Sequence, residues 1–179
     1  MRPLKVVHIV EALGGGIYSY FVNLTHSFGH LENVETTIVF SDKRKEIDPK
    51  RIYEDFNKNI KLIKVSMKKE LSPRADYNAF IKIKEILKNI NPDVIHLHSS
   101  KAGVLGRAAY YFSGSDAQLY YTPHGYSFLR KDISIGKKAF YFCIEKFTQK
   151  VFGGKTIACG DTELTYSERI GPVTLVRNS

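Results

Sequence analysis

Short apolar segments alternate with longer segments of helical periodicity along almost the whole 179-residue chain. Seven segments have the β-branched, apolar composition of strands: residues 5–10, 34–40, 60–65, 93–97, 118–122, 155–159 and 173–176. Alternation of such strands with helices is typical of a parallel sheet that is covered on both faces. We therefore predict an α/β fold, a Rossmann-like parallel sheet with helices on both faces, in a single domain that spans residues 1–179.

Three consecutive glycines, Gly14, Gly15 and Gly16, separate the first strand from the first helix. Glycine allows a sharp turn and a close approach of the backbone to a ligand. The helix that follows directs free N–H groups and the positive end of its dipole into this turn, which favours an anion, most often a phosphate. A simple tight turn is the alternative. The dinucleotide-binding fingerprint is incomplete, since Ser19 stands at its third glycine position.

Small and polar residues follow several of the predicted strands at the point where each strand ends. They occupy residues 14–16 after the first strand, 98–103 after the fourth, 124–125 after the fifth and 160–161 after the sixth. The carboxyl ends of parallel strands meet at one edge of a sheet, and ligands bind beyond that edge. We therefore expect these loops to form a single binding site.

The formal net charge of +9 favours an acidic partner, such as nucleic acid, anionic lipid headgroups or a phosphorylated substrate. The chain has no helix-turn-helix, zinc-binding or aromatic RNA-binding pattern, so specific nucleic-acid binding is not expected. It has neither an apolar run long enough to cross a bilayer nor a secretory signal, and we expect a cytoplasmic protein. Its two cysteines, Cys143 and Cys159, are predicted to be buried free thiols.

Residues 126–150 are rich in basic and aromatic side chains. These are Phe128, Arg130, Lys131, Lys137, Lys138, Tyr141, Phe142 and Lys146. One interpretation is a peripheral patch that lies on the anionic inner face of the cell membrane. The other is an ordinary helix over residues 136–152 with a core face and a solvated face. An apolar stripe at helical spacing runs along that helix and consists of Phe140, Cys143, Ile144, Phe147 and Val151.

Four segments of the chain together carry a family resemblance. In order they are GGGIYSYFVNL after the first strand, PDVIHLHSSKAGVLGRAA, TPHGYSF, and TIACGDTELT before VTLVRNS. They resemble the N-terminal, acceptor-side domain of retaining glycosyltransferases of family four, which have the two-domain GT-B fold. The resemblance covers essentially the whole chain and implies that the predicted sheet is one half of a GT-B fold.

The resemblance implies transfer of a sugar from a nucleotide-diphosphate sugar to a saccharide or lipid-linked saccharide in cell-surface polysaccharide or lipopolysaccharide synthesis. The N-terminal domain is expected to bind mainly the acceptor, and a C-terminal domain that is absent from this sequence to hold the donor. We expect this chain alone to be inactive. An alternative function is that of a non-catalytic, membrane-anchoring subunit that recruits a separate donor-binding protein.

The resemblance and the loop positions together identify candidate site residues. His124 is the candidate catalytic residue, which either hydrogen-bonds the sugar or assists proton transfer from the acceptor hydroxyl; the alternative is a turn histidine bonded to backbone. The candidates for contact with the donor phosphate or the substrate are Gly14, Gly15, Gly16, His98, Lys101 and Gly125. Glu11 and Ser99 are candidates for contact with the acceptor.

His8 and His96 lie inside predicted strands and are interpreted as core histidines. His96 and His98 are two positions apart, and we expect their rings to project to opposite faces of the sheet, which argues against joint ligation of a metal ion. The resemblance requires no metal and no cofactor.

Overall fold

The computed structural model of the chain describes residues 2–43 and 49–177. Its strands are β1 (Leu4–Val10), β2 (Val34–Phe40), β3 (Lys61–Lys64), β4 (Val94–His98), β5 (Gln118–Thr122), β6 (Lys155–Ala158) and β7 (Val173–Leu175). Its helices are α1 (Gly16–Phe28), α2 (Pro49–Asp55), α3 (Pro73–Ile90), α4 (Ser100–Ser113), α5 (Ile135–Phe152) and α6 (Asp161–Ser167). A short 3₁₀ turn, Ser127–Leu129, precedes α5.

The described strands form one sheet in the order β3-β2-β1-β4-β5-β6-β7, and every pairing is parallel. The predicted Rossmann-like α/β fold is confirmed. Successive strands run outward from β1 on one side and from β4 on the other, so the strand order switches direction between these two central strands. A crevice opens at such a switch point, between the loops that follow β1 and β4.

An apolar core lies on each face of the sheet, because neighbouring side chains of a strand project to opposite faces. On one face, Val10 of β1 lies in a cluster with Phe21 of α1. On the other face, Ile9 of β1 lies in a cluster with Ile83 of α3 and Leu105 of α4. The sheet is thus covered by helices on both sides, as the apolar strands predicted.

Helix α4 lies very close to the sheet because two glycines face it. A Cβ atom at Gly106 would lie 2.4 Å from the side chain of Leu97, and one at Gly103 would lie 2.6 Å from the ring of Tyr121. Any side chain at these positions would force α4 or the sheet residues to move. The close packing also fixes the loop that enters α4 directly above the carboxyl ends of β4 and β5.

Helix α5 forms where the sequence predicts it, but the prediction that its apolar stripe faces the core is wrong. Phe140, Phe147 and Val151 are 51%, 61% and 43% exposed. The buried side chains of α5 are instead the polar residues Glu145, Thr148 and Gln149. The physical reason lies on α4, where Arg107 is fully buried and needs polar partners, which α5 supplies.

The prediction that both cysteines are buried is also wrong. Cys143 is exposed and Cys159 is half-buried, although both are free thiols as predicted. Helix α2 begins within the charged segment 41–51, of which residues 44–48 lie outside the described residues. Within residues 2–43 and 49–177, no helix has both the length and the apolar character needed to cross a membrane.

Candidate functional site

A cleft of about 460 Å³ lies at the carboxyl edge of the sheet, beside the switch point. It is lined by residues from the loops that follow β1, β4 and β5 and by the inner side of α5. Five of the predicted site residues line it: Glu11, Ser99, Lys101, His124 and Gly125. The predicted convergence is therefore observed for the loops that follow β4 and β5, whereas residues 14–16 and 160–161 do not line the cleft.

Backbone strain is concentrated at this cleft. Only three described residues other than glycine have a positive φ, and two of them, Ser99 (φ 77°) and His124 (φ 48°), line the cleft. They follow the neighbouring strands β4 and β5, and the N–H of Ser99 donates to the carbonyl of Thr122 at the end of β5. Strained backbone of this kind clusters at functional sites, where the surrounding structure holds it in place.

The Ser99 hydroxyl is buried and has no hydrogen-bond partner among the described residues. Buried hydroxyl groups almost always have a partner, and one without a partner beside a cleft marks a position where a ligand or water completes the bond. The unpaired hydroxyl therefore supports the prediction that Ser99 contacts a ligand. Its role in binding the acceptor remains a prediction.

A row of hydrogen-bonded imidazoles runs from the core to the cleft. His8 Nδ1 lies 3.0 Å from His98 Nε2, and His98 Nδ1 lies 3.0 Å from His124 Nε2. We call His8, His98 and His124 the histidine chain. His98 is completely buried and does not line the cleft, so its contribution to a bound substrate passes through His124.

The prediction that His96 and His98 project to opposite faces of the sheet is wrong. Residues two positions apart in a strand share a face, and these two rings lie with their centroids 4.0 Å apart. His8 pairs with His96 in the register of β1 and β4, which brings a third ring to the same face. One ring nitrogen of each of the three residues lies within 4.8 Å of the others, a spacing that a metal ion can use.

The hydrogen bonds of these rings compete with metal ligation. Both ring nitrogens of His98 are already used, one by His8 and the other by His124. His96 Nε2 lies 2.8 Å from the Thr122 hydroxyl, and this bond agrees with its prediction as a satisfied core histidine. His8 is also buried in the core, but its Nε2 has no partner among the described residues.

Burial keeps these imidazoles neutral. Desolvation lowers the pKa of His8 to about 4 and the pKa values of His96 and His98 well below the usual 6.5. Burial also lowers the pKa of His124, although the nearby charge of Glu163 opposes the shift. At neutral pH each ring of the histidine chain therefore carries one N–H and one unprotonated nitrogen.

The glycine loop, Gly14 to Gly16, lies beside the cleft but is not part of its lining. Gly15 has a φ of 55°, the left-handed conformation that glycine adopts without a steric penalty. It occupies the N-cap position of α1, and no side chain of the described residues caps that helix end. A Cβ at any of the three glycines would meet no atom within 4 Å, so the space around the loop is open. Contact with a phosphate stays a prediction.

Lys101 does not offer a free charge to the cleft. Its Nζ lies 2.7 and 2.8 Å from the two carboxylate oxygens of Asp76 and 2.9 Å from the carbonyl oxygen of Glu70. The Lys101 and Asp76 side chains are only 13% and 17% exposed. An incoming phosphate would have to compete with Asp76, a partner that the sequence analysis did not identify.

Glu163, at the start of α6, holds the loop that carries His124. Its two carboxylate oxygens accept hydrogen bonds from the backbone N–H groups of Gly125 and Cys159. Glu163 is half-buried and is not among the site residues predicted from the sequence. Its position in the first turn of a helix that follows a strand was the available signal, because carboxylates there commonly bind backbone N–H groups.

A second polar cluster lies beneath the cleft, which it reaches through Glu145, and was missed by sequence reasoning. The Glu145 carboxylate accepts a hydrogen bond of 2.9 Å from the Tyr121 hydroxyl and lies 3.6 Å from an Arg107 nitrogen. The Arg107 guanidinium lies 4.2 Å above the centre of the Tyr121 ring. Burial raises the pKa of Glu145 despite the neighbouring Arg107 charge. Because Glu145 lies on an apparently amphipathic helix, the sequence contains no local signal for its burial.

The family model described as "Glycosyltransferase Family 4" matches residues 14–169 of the chain. The chain belongs to glycosyltransferase family 4. The match includes the loops after β4 and β5, which line the cleft, and also the glycine loop and α6.

One relative by sequence and two solved structures with the same fold are similar to this family-4 chain. A Klebsiella pneumoniae protein described as an uncharacterized 41.2 kDa protein in the cps region is 30% identical over 153 residues, which is 82% of this chain and 38% of that protein. The fold resembles that of the lipopolysaccharide outer core galactosyltransferase WaaB, with a TM-score of 0.69 and 19% sequence identity. The match covers 98% of this chain and 46% of WaaB. The fold also resembles the Anabaena protein HepE, solved in complex with UDP and glucose (TM-score 0.69, 13% identity, 98% of this chain, 44% of HepE). The family-4 chain thus spans less than half the length of these relatives.

Proposed function

We propose that the chain is the acceptor-side half of a retaining glycosyltransferase that moves a sugar from a nucleotide-diphosphate sugar to a saccharide or lipid-linked saccharide. The observation that carries the proposal is the strained pair Ser99 and His124, which follow adjacent strands and face one cleft of the size of a sugar site. Membership of family 4 supports the reaction class. The descriptions of two relatives, one from a cps region and one a lipopolysaccharide galactosyltransferase, support cell-surface polysaccharide synthesis as the context.

Every predicted site residue except His98, which is buried behind His124 and does not line the cleft, contacts substrate in this proposal. His124 contacts the reacting sugar or the acceptor, and Ser99 and Glu11 contact the acceptor from the loops that follow β4 and β1. The glycine loop approaches the donor phosphates through backbone N–H groups. Gly125 lines the same cleft, but its N–H donates to Glu163, so its proposed contribution is a close approach of the backbone to the substrate. Lys101 lies at the same cleft and contributes positive charge once a phosphate displaces Asp76 from it.

A second domain is needed for the donor nucleotide. The relatives are about twice as long as this chain, and HepE was solved with UDP bound. We therefore propose that the donor is held by a further domain of similar size across the cleft, and that residues 1–179 by themselves do not catalyse transfer.

We further propose that α5 places the domain on an anionic membrane surface from the cytoplasmic side. Phe140, Phe147 and Val151 are exposed along one side of the helix, and we call this side, with the exposed Lys146 and Lys150 beside it, the basic–apolar face of α5. The whole helix contains one acidic residue, which is buried. An exposed apolar side flanked by lysines suits the boundary between headgroups and acyl chains, where lipid-linked acceptors reside.

The aromatic residues first assigned to this patch do not form it. Phe128 is buried and stacks on Tyr126, and Tyr141 and Phe142 are partly buried against the core. The proposal therefore rests on the exposed side chains of the opposite side of α5.

The proposed function is tested by joining residues 1–179 to the donor-binding half of a family-4 enzyme and measuring transfer from a UDP-linked hexose to saccharide acceptors. We expect transfer by the unmodified protein and a loss of about 10²-fold or more with His124→Ala, the usual effect of removing a positioned catalytic group. Equal transfer by both proteins would remove His124 from the proposed role. Hydrolysis or epimerisation without transfer to any acceptor would overturn the proposal itself.

A further inference from the structure

We propose that the histidine chain fixes His124 as the Nδ1–H tautomer, so that His124 presents a hydrogen-bond donor and not a base to the cleft. In this arrangement His98 and His8 are positioning residues that act through His124. The use of this donor toward a sugar or phosphate oxygen rests on the proposed function above, whereas the tautomer itself does not.

Neutral imidazoles can be linked in only two ways. A neutral imidazole has one N–H donor and one acceptor nitrogen, and burial keeps His98 neutral. Both nitrogens of His98 lie 3.0 Å from a nitrogen of a neighbouring ring. His98 must therefore donate to one neighbour and accept from the other, and the two hydrogen bonds run in the same direction.

The two directions differ in where the last hydrogen lies. If the bonds run inward, from His124 to His98 to His8, the last hydrogen is on His8 Nε2. If they run outward, from His8 to His98 to His124, the last hydrogen is on His124 Nδ1. His124 lines the cleft, and its Nε2 is used by His98, which leaves Nδ1 for water or a ligand.

The surroundings of His8 favour the outward direction. Its Nε2 is buried without a hydrogen-bond partner among the described residues. The rings of Phe21 and Phe28 lie beside it at centroid distances of 5.8 and 6.3 Å and offer no conventional acceptor. A buried N–H without an acceptor is among the rarest defects in folded proteins. In the outward direction, His8 Nε2 carries only a lone pair, which needs no acceptor. The last hydrogen then lies on His124 Nδ1 at the cleft, where water or a ligand can accept it.

This direction decides between two chemical roles for His124. As the Nδ1–H tautomer, the ring donates to a hydroxyl or phosphate oxygen in the cleft. It cannot accept a proton from an acceptor hydroxyl at Nδ1, because that nitrogen already carries a hydrogen. The role of general base is therefore excluded for the resting arrangement, and the role of a sugar- or phosphate-binding donor is retained.

The test is a two-bond ¹⁵N–¹H correlation spectrum of the ¹⁵N-labelled chain at pH 7, which identifies the protonated nitrogen of each imidazole. We expect the Nδ1–H pattern for His8, His98 and His124, the reverse of the Nε2–H form that predominates for free histidine. His98→Phe should return His124 to that solution form, because both hydrogen bonds are lost. His96→Gln is the matched control, since His96 touches the same rings but belongs to neither N···N bond, and it should leave the pattern unchanged.

Three results would overturn the proposal. The first is an Nε2–H pattern for His124 in the unmodified chain, which would mean that the hydrogen bonds run inward. This measurement does not need the His98→Phe variant, so it is informative even if that variant fails to fold. The second is a His124 pattern that does not respond to His98→Phe in a folded variant. The third is stoichiometric binding of added Zn²⁺ with loss of the imidazole hydrogen signals of His8, His96 and His98, which would make the cluster a metal site. None of these results depends on whether the chain takes part in sugar transfer.

Discussion

Arg107 of α4 and Gln149 of α5 are joined by a buried hydrogen bond of 2.6 Å between the guanidinium and the side-chain carbonyl. Gln149 also donates to the carbonyl oxygen of Gly154, and Arg107 donates to that of Gly153. These bonds turn the polar side of α5 inward and leave its apolar side exposed. The contacts of one buried guanidinium with Glu145 and Gln149 therefore set the orientation of α5, which exposes the surface that we assign to the membrane.

Replacing Arg107 should destabilise the fold strongly. Arg107→Met leaves the buried Glu145 carboxylate without its cation, and removal of one partner of a buried pair typically costs about 3–5 kcal/mol. Arg130→Met is the matched control, because Arg130 pairs with Asp132 on the surface, and exposed pairs contribute about 0–1 kcal/mol. Urea unfolding of both variants measures the difference. Similar losses for the two would show that the Arg107 cluster does not hold α5.

The close contact of α4 with the sheet predicts opposite effects for two glycine-to-alanine substitutions. Gly106→Ala places a methyl group 2.4 Å from the Leu97 side chain and should cost about 1–3 kcal/mol through overpacking. Gly136→Ala, in the first turn of α5, meets no atom within 4 Å and should be neutral or stabilise by about 0.4–1 kcal/mol. Thermal unfolding compares them, and a tolerated Gly106→Ala would contradict the described packing.

The histidines predict a specific dependence of stability on pH. The pKa of His8 is about 4 in the folded chain and 6.5 when unfolded, so between these values the unfolded state binds more protons. The free energy of unfolding is therefore at its full value above pH 6.5 and falls as the pH is lowered toward 4. At about 1.4 kcal/mol per pKa unit, His8 accounts for a loss of roughly 3 kcal/mol.

This dependence is measured by urea unfolding from pH 7.5 to pH 4. His8→Phe should make the fall smaller but not abolish it, because the pKa values of His96, His98 and His124 are also lowered by burial. His26→Gln replaces an exposed histidine and should leave the fall unchanged. An equal slope in the unmodified chain and His8→Phe would contradict the assignment.

The ion pair at the cleft predicts that Asp76 limits anion binding. Asp76→Asn should strengthen binding of pyrophosphate by about 5- to 10-fold, corresponding to roughly 1 kcal/mol, because Lys101 is no longer neutralised. Lys101→Met should abolish this gain when the two changes are combined. Isothermal titration with pyrophosphate measures the affinity of the unmodified chain, of Asp76→Asn and of the double variant. An unchanged affinity of Asp76→Asn would place the anion away from Lys101.

The basic–apolar face of α5 predicts selective binding to anionic vesicles. The chain should co-sediment with phosphatidylglycerol vesicles but not with phosphatidylcholine vesicles, and Phe140→Glu with Phe147→Glu should abolish co-sedimentation without loss of stability. Tyr77→Glu, an exposed aromatic position on α3, is the control and should bind as the unmodified chain does. Equal recovery from both kinds of vesicle would contradict membrane contact through α5.

Local patterns in the sequence predicted the fold well but the packing of individual helices less well. The strands that carry Val7, Ile9 and Leu97 are mainly apolar, and this predicts a buried parallel sheet without knowledge of which helices cover it. The orientation of α5 could not be predicted in the same way. Its apolar stripe resembles a core face, and only the position of Arg107 on another helix, 42 residues from Gln149, reverses it.

The same distinction applies to the site. The loops that carry Ser99 and His124 were predicted because each follows a strand. The partners of those residues were not predicted, because they depend on contacts between separate elements. Asp76 reaches Lys101 from α3, and Glu163 reaches the backbone of Gly125 from α6. The shared face of His96 and His98 follows from strand geometry and should have been recognised from the sequence.

The proposed function requires that a saccharide binds in the cleft. The decisive measurement is a titration of the ¹⁵N-labelled chain with maltose, as a simple saccharide probe, and with UDP-glucose, followed through the backbone N–H signals. We predict that the saccharide shifts the signals of Ser99 and Gly125 and that His124→Ala removes these shifts. UDP-glucose should shift them less, because we propose that a further domain provides most of its binding site. Tight binding of UDP-glucose in the cleft with no response to the saccharide would contradict the assignment of this domain to the acceptor.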